Sequence, residues 1–183
     1  MALTYSSMLE LGSSLEEFKL LNTVSGNDFC SSELDKAKPS LIMFICNHCP
    51  YVIHYHDEIK RLANDFNDTI NMVAISSNDI KEYPQDGPDK MRELWVQLGL
   101  SFPYLFDSTQ DVAKQYKAEC TPEFYLFDSS QKLIYRGRLD ESSPNSGLEP
   151  TGEDLRNAIE NVLNNKDVNA DQFPSMGCNI KWK

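Results

Sequence analysis

The sequence predicts an α/β fold with a central mixed β-sheet flanked by helices. Three observations carry this expectation. Residues 40–45 and 70–75 are short apolar runs rich in branched or aromatic side chains, which suit buried parallel strands. A helical pattern lies between them, and strand, helix and parallel strand in that order form a right-handed crossover. Residues 123–127 and 132–138 read as an antiparallel hairpin, which makes the sheet mixed.

The elements follow in chain order. Residues 15–21 read as a short strand, and the polar cluster 22–27 as a turn. After the strand at 40–45, a helix is expected over 50–66. Ile53, Ile59, Leu62, Ala63 and Phe66 share its apolar face, and Asn67-Asp68 ends it. Residues 78–88 form a polar loop, 89–98 a helix, 102–106 a strand start and 111–117 a short helix. Residues 128–131 join the hairpin, and 141–150 form a loop of Ser, Pro, Asn and Gly. Thr151 opens a last helix, with Asp154 three positions on as a capping box and Leu155, Ile159 and Leu163 as its stripe. From 166 to 183 the chain reads as irregular. No internal repeat or low-complexity segment is present.

A length of 183 residues suits one domain with a proper core, and 40% apolar with 10% aromatic content is enough to fold. The net charge of -11 disfavours nucleic acid, because phosphate binding needs concentrated basic surface. No apolar run is long enough for a membrane span, and Met1 to Leu15 has no basic leader followed by an apolar core. The expectation is a cytoplasmic protein with no membrane partner. Five cysteines, odd in number and widely scattered, do not suggest a disulfide scaffold. In a reducing compartment a close cysteine pair points instead to catalysis or metal binding.

That pair is Cys46-Asn47-His48-Cys49-Pro50, between the strand at 40–45 and the following helix. A thiolate, not a thiol, attacks a disulfide, so the site must lower a thiol pKa. The helix start favours negative charge. His48 can donate to Cys46, and Asn47 adds polarity without competing charge. Cys46 is therefore expected to be the stabilised thiolate and Cys49 the less exposed resolving sulfur. Pro50 suits a first helical turn, where its missing N–H costs nothing.

A second constellation is Cys120-Thr121-Pro122-Glu123, directly before the strand at 124–127. A cis bond at Pro122 would set the Thr121 backbone against the disulfide, where it could pair with a substrate strand. Asn47, Pro50, Thr121 and Pro122 are thus expected to line the substrate site. Cys46, His48, Cys49 and His54 or His56 could instead hold zinc or copper. His54 and His56 are about 200° apart on a helix, however, and cannot face one site, so no metal is assigned. Cys178 could fold back as a third redox cysteine or cap the site. Cys30 and Cys120 read as small core residues.

The Cys-x-x-Cys after a strand, the later Thr121-Pro122 before a hairpin and the βαβ order together resemble the thioredoxin superfamily. Phe102-Pro103-Tyr104-Leu105-Phe106-Asp107, Asp111-Val112-Ala113-Lys114-Gln115-Tyr116 and the run from Thr121-Pro122 to Tyr135-Arg136-Gly137 are more particular. They resemble the alkyl hydroperoxide reductase/thiol-specific antioxidant (redoxin) branch. The ending Gly177-Cys178-Asn179-Ile180-Lys181-Trp182 is similar to a peroxiredoxin-like subgroup. The resemblance covers about 12–183. It implies a single thioredoxin-like domain over 1–183 with its core at about 12–165, an N-terminal extension, an inserted loop and helix at about 78–98, and a C-terminal tail at 166–183. It also implies that Pro122 is cis and that Cys46 attacks. Two features depart from the family pattern. Aligned on Cys49, Ile42 stands in place of the peroxidase proline and Cys46 in place of its Thr/Ser, so the motif's hydroxyl is missing. Ser40, six residues before Cys46, replaces the buried acid of thioredoxin itself.

The resulting expectation is a thiol–disulfide oxidoreductase acting through Cys46 and Cys49. Its substrate would be a protein or small-molecule thiol or disulfide, its electrons would come from an upstream thiol, and it would need no cofactor. The alternatives are a peroxiredoxin-like thiol peroxidase, with antioxidant activity, and a non-enzymatic Cys/His metal-binding or metallochaperone module.

Overall fold

The computed structural model describes residues 3–183. In chain order its elements are β1 (Leu3–Tyr5), β2 (Lys19–Asn22), β3 (Asp28–Cys30), β4 (Ser40–Phe44), α1 (Pro50–His54), α2 (His56–Phe66), β5 (Asn71–Ser76), α3 (Pro88–Leu98), β6 (Tyr104–Phe106), α4 (Asp111–Gln115), β7 (Cys120–Thr121), β8 (Glu123–Phe127), β9 (Leu133–Gly137), α5 (Glu153–Leu163) and β10 (Met176–Asn179). A seven-stranded sheet runs β3-β2-β6-β5-β4-β8-β9. β4, β5 and β6 are parallel, while β8, β9, β2 and β3 join antiparallel, which is the mixed sheet expected. A second, three-stranded sheet runs β1-β10-β7.

The continuous apolar run of β4 has a simple cause, because both faces of the sheet are covered. Leu41 and Met43 point into one core with Ile59, Leu62, Trp95, Phe124 and Ile159. Ile42 and Phe44 point into the other with Tyr116, Tyr125, Phe127 and Leu15. Successive side chains of a strand face opposite ways, so every residue of β4 is buried.

The helix expected over 50–66 is interrupted at Tyr55, whose φ and ψ are -95° and 0°. The Tyr55 hydroxyl donates to Ser142 O at 2.7 Å, fixing the break against the 141–150 loop. The apolar stripe also begins differently. Val52 and Tyr55 are buried, whereas Ile53 is half exposed, because a 3.6-residue period aligns positions 52 and 55 with Ile59. The expected capping box at Thr151 does not form. The helix starts at Glu153 after Gly152 in the left-handed region, φ 67°, and the Asp140 carboxylate accepts from the N–H groups of Thr151 and Gly152, both at 2.7 Å. A side chain at 152 would come within 2.6 Å of Glu58 Oε1, which explains the glycine.

The tail is not irregular throughout, since β10 lies within it and pairs on both edges. The N-terminal strand is confined to Lys19–Asn22, and β1 and β3 are further short strands absent from the sequence reading. No helix among the described residues is long and apolar enough to cross a membrane.

Candidate functional site

Because β4 and β5 are parallel, the loops that follow them emerge at the same end of the sheet. The first loop carries Cys46 to Cys49, and the second returns as residues 77–88. β7 brings Thr121 and Pro122 to the same place from the other side. The Thr121-Pro122 peptide bond is cis, as the resemblance implied. Cys49 is the N-cap of α1 and Pro50 opens its first turn. Cys46 and Cys49 carry thiols and are both buried, 1% and 0% exposed, so exposure does not separate an attacking from a resolving sulfur.

Cys46 lies beside oxygen. Its Sγ is 3.4 Å from Thr121 Oγ1 and 3.9 Å from His48 Nδ1. His48 Nδ1 is only 2.6 Å from Asp86 Oδ2, so the imidazole's Nδ1 proton serves the carboxylate rather than the sulfur. The ring also stacks on Tyr83, with centroids 5.2 Å apart. Asp86 is fully buried and further accepts from Asn47 N and Asn78 Nδ2, each at 2.8 Å. The expected lowering of the Cys46 pKa is therefore overturned. Its thiol is pushed well up by its hydrogen bond to Cys49, by burial and by the Asp86 charge.

Cys49 lies beside donors. Its pKa is lowered to about 5, first by the Cys46 thiol that hydrogen-bonds to it. The Cys178 thiol and the backbone N–H groups of Val52 and Cys178 act in the same direction, against the cost of burial. As a thiol, Cys49 instead donates to Thr121 O at 3.1 Å, a contact given up on ionisation. Donors outnumber that single carbonyl, so the surroundings favour negative charge at Cys49 over Cys46.

Cys178 folds back onto the cysteine pair and is buried. It stands opposite Thr121 in the β10–β7 register, with Asn179 opposite Cys120, and its thiol hydrogen-bonds to Cys49. This arrangement corrects the expected role of Thr121, because the strand edge foreseen for a substrate chain is occupied by β10. Asn47 is likewise engaged within the protein. Its amide donates to Gln85 O at 3.0 Å, and its oxygen accepts from Tyr104 Oη at 3.1 Å. Pro50 is exposed, while Thr121 and Pro122 are buried. A cleft of about 300 Å³ lies beside Pro122, lined by Tyr5, Tyr55, Phe124, Phe173 and Met176 among others.

Neither outer histidine joins the sulfurs. His54 Nε2 pairs with Ser142 Oγ at 3.0 Å, and His56 is pulled down in pKa by burial. The one cluster of metal-ligand type among the described residues is Cys46, His48 and Asp86, with ligand atoms within 4.8 Å of one another. Cys120 is buried beside Glu123, whose carboxylate accepts from Glu119 N at 2.9 Å and from Tyr125 Oη at 2.6 Å, holding the turn before the cis-proline. Cys30 is half-buried at the end of β3, remote from the pair in the sheet order.

Asp86 and Tyr83 escaped the sequence reading, and Glu123 was read there only as part of the Thr121-Pro122 constellation. The signal for Asp86 was topological: a polar loop after the strand parallel to β4 must return to the cysteine end of the sheet. A hydroxyl does stand beside the pair, that of Thr121, 3.4 Å from Cys46 Sγ.

A family model described as Redoxin matches residues 10–151. None of the curated proteins matches significantly. Among solved structures, an uncharacterized conserved protein from Geobacillus kaustophilus is 46% identical with a TM-score of 0.97, covering 100% of this chain and 97% of its own. A hypothetical protein from Sinorhizobium meliloti is 39% identical with a TM-score of 0.95, covering 98% of each chain. The thioredoxin domain of a thiol-disulfide oxidoreductase from Bacteroides vulgatus is 18% identical with a TM-score of 0.63, over 83% of this chain and 96% of its own, a likeness of fold.

Proposed function

We propose that this chain, which belongs to the Redoxin family of the thioredoxin superfamily, is a thiol–disulfide oxidoreductase that cycles Cys46 and Cys49 between dithiol and disulfide. One observation carries the reading: the two buried sulfurs of the Cys46-Cys49 turn both meet Thr121 of the cis-proline loop, Cys46 at its hydroxyl, 3.4 Å away, and Cys49 at its carbonyl, 3.1 Å away. Cys46 attacks a disulfide of the substrate as its proton passes along the existing hydrogen bond to the Cys49 thiolate. The substrate's leaving sulfur departs as a thiolate. Cys49 then passes that proton to the released substrate thiolate and attacks Cys46, releasing the substrate's other sulfur as a thiolate and closing the Cys46–Cys49 bond. An upstream thiol restores the dithiol. His48 and Asp86 act as positioning residues that hold the Cys46 turn. Substrate and reductant belong to the class of protein or small-molecule thiols and disulfides.

The test is reduction of insulin disulfides by a dithiol reductant with wild type, Cys46→Ser and Cys49→Ser. Both variants are expected to lose the activity, and Cys49→Ser to accumulate a mixed disulfide at Cys46. Unchanged reduction in both variants sinks the proposal. Accumulation in Cys46→Ser instead exchanges the two roles. Peroxide consumption that outruns insulin reduction would turn the reading toward a thiol peroxidase.

A second reading rests on Cys46, His48 and Asp86, whose thiolate, imidazole and carboxylate form a set that zinc accepts. Stoichiometric zinc on the purified protein, lost in Asp86→Asn and accompanied by no insulin reduction, would favour it.

A further inference from the structure

We propose that β10 is a built-in substrate strand, and that Cys178 exchanges with the Cys46–Cys49 disulfide to form a second resting disulfide, Cys49–Cys178. This inference rests on the exchange reading above.

Two observations carry it. First, β10 occupies the backbone edge of β7, with Cys178 opposite Thr121. It thereby holds the position an extended substrate chain takes by strand addition. The approach is close enough to require glycine at 177, where a Cβ would fall 2.0 Å from Thr121 O and 3.3 Å from Pro122 Cδ. Second, the Cys178 thiol and N–H both hydrogen-bond to Cys49, so Cys49 is flanked by the thiols of Cys46 and Cys178.

The strand is a resident part of the fold. Its other edge pairs with β1. Beyond it, Ile180 N donates to Glu119 O at 3.0 Å, and Lys181 N donates to Asn78 Oδ1 at 2.9 Å. Gln110 Nε2 donates to Lys181 O at 2.8 Å.

The step balances without an outside oxidant. Cys178 loses its proton and its sulfur bonds to Cys49 Sγ. The Cys46–Cys49 bond breaks, and Cys46 leaves as a thiolate that takes up the proton. One disulfide and one thiol exist before and after. Each exchange thus frees Cys46 while the oxidising equivalent is stored one sulfur further in.

The experiment oxidises wild type, Cys46→Ser and Cys178→Ser with excess oxidised glutathione. Remaining thiols are blocked with N-ethylmaleimide at acidic pH, and tryptic peptides are mapped by mass spectrometry. In wild type, part of the C-terminal peptide holding Cys178 should be cross-linked to the peptide holding Cys46 and Cys49. In Cys46→Ser that cross-link should become the dominant oxidised form, and in Cys178→Ser it should vanish while Cys46–Cys49 still closes. A Cys178 that is wholly alkylated or glutathionylated in both wild type and Cys46→Ser overturns the inference, even if Cys46–Cys49 forms and insulin is reduced. Absence of any disulfide among the three sulfurs overturns the exchange reading with it.

Discussion

Cys46 and Cys49 belong to one short turn and are equally buried, yet their surroundings favour opposite charge states. Around Cys46 stand a buried carboxylate, a histidine already committed to it and a threonine hydroxyl. Around Cys49 stand two backbone N–H groups and two thiols. The residues between the cysteines do not create this difference alone. It arises also from what other strands deliver: the loop after β5 brings Asp86 to one sulfur, and β10 brings Cys178 to the other. Charge placement in a Cys-x-x-Cys turn is therefore a property of topology as much as of the motif.

The strongest way to break this comparison is to remove Cys49. Thiolate absorbance in the ultraviolet should show one thiol of the reduced wild type ionising near pH 5, and Cys49→Ser should lose that step entirely. The linkage has a definite sign. A depressed folded pKa adds stability that is present above the unfolded thiol value of about 8.5 and is lost as pH falls through about 5. Denaturant melts of the reduced protein should thus show wild type losing stability relative to Cys49→Ser across that window. Next in size is Gly177→Ala, which presses a methyl group onto the Thr121 carbonyl. It should cost about 3 kcal/mol in denaturant melts and speed amide exchange in β10.

Asp86→Asn addresses the other sulfur. It removes the charge that raises Cys46 and weakens the bonds to His48 and Asn47 N. Stability should fall by about 2 kcal/mol, while the Cys46 titration moves down, toward the ordinary thiol range. Upward movement of Cys46 would refute the assignment of Asp86 as a charge that opposes ionisation. The smallest effect is expected from Tyr104→Phe, which leaves Asn47 Oδ1 without its 3.1 Å donor. The cost should be about 1 kcal/mol by thermal melting.

The main sheet was readable from sequence because β4 and β5 are buried on both faces, and that burial leaves unbroken apolar runs at 40–45 and 70–75. The cysteine pair and the Thr121-Pro122 turn were readable because each is a local motif. β10 carried no such mark. Met176-Gly177-Cys178-Asn179 is short and mixed in polarity, and it is a strand only because β1 and β7 offer it edges. Asp86 was equally hidden, since a carboxylate in a polar loop looks solvated until the loop's return to the cysteines is known. The break at Tyr55 depends on Ser142, far along the chain, and no helical periodicity records that contact.

The seating of Cys178 against Cys49 has a consequence for chain connectivity. A Cys46–Cys49 bond closes a loop of a few residues and scarcely restricts the unfolded chain. A Cys49–Cys178 bond would tie the front of α1 to the last strand, making most of the polypeptide a single covalent ring. Loop-closure entropy makes the larger ring worth about 3 kcal/mol more than the smaller one. Moving one bond between neighbouring sulfurs would therefore let the melting temperature of the oxidised protein report which cysteine holds the disulfide.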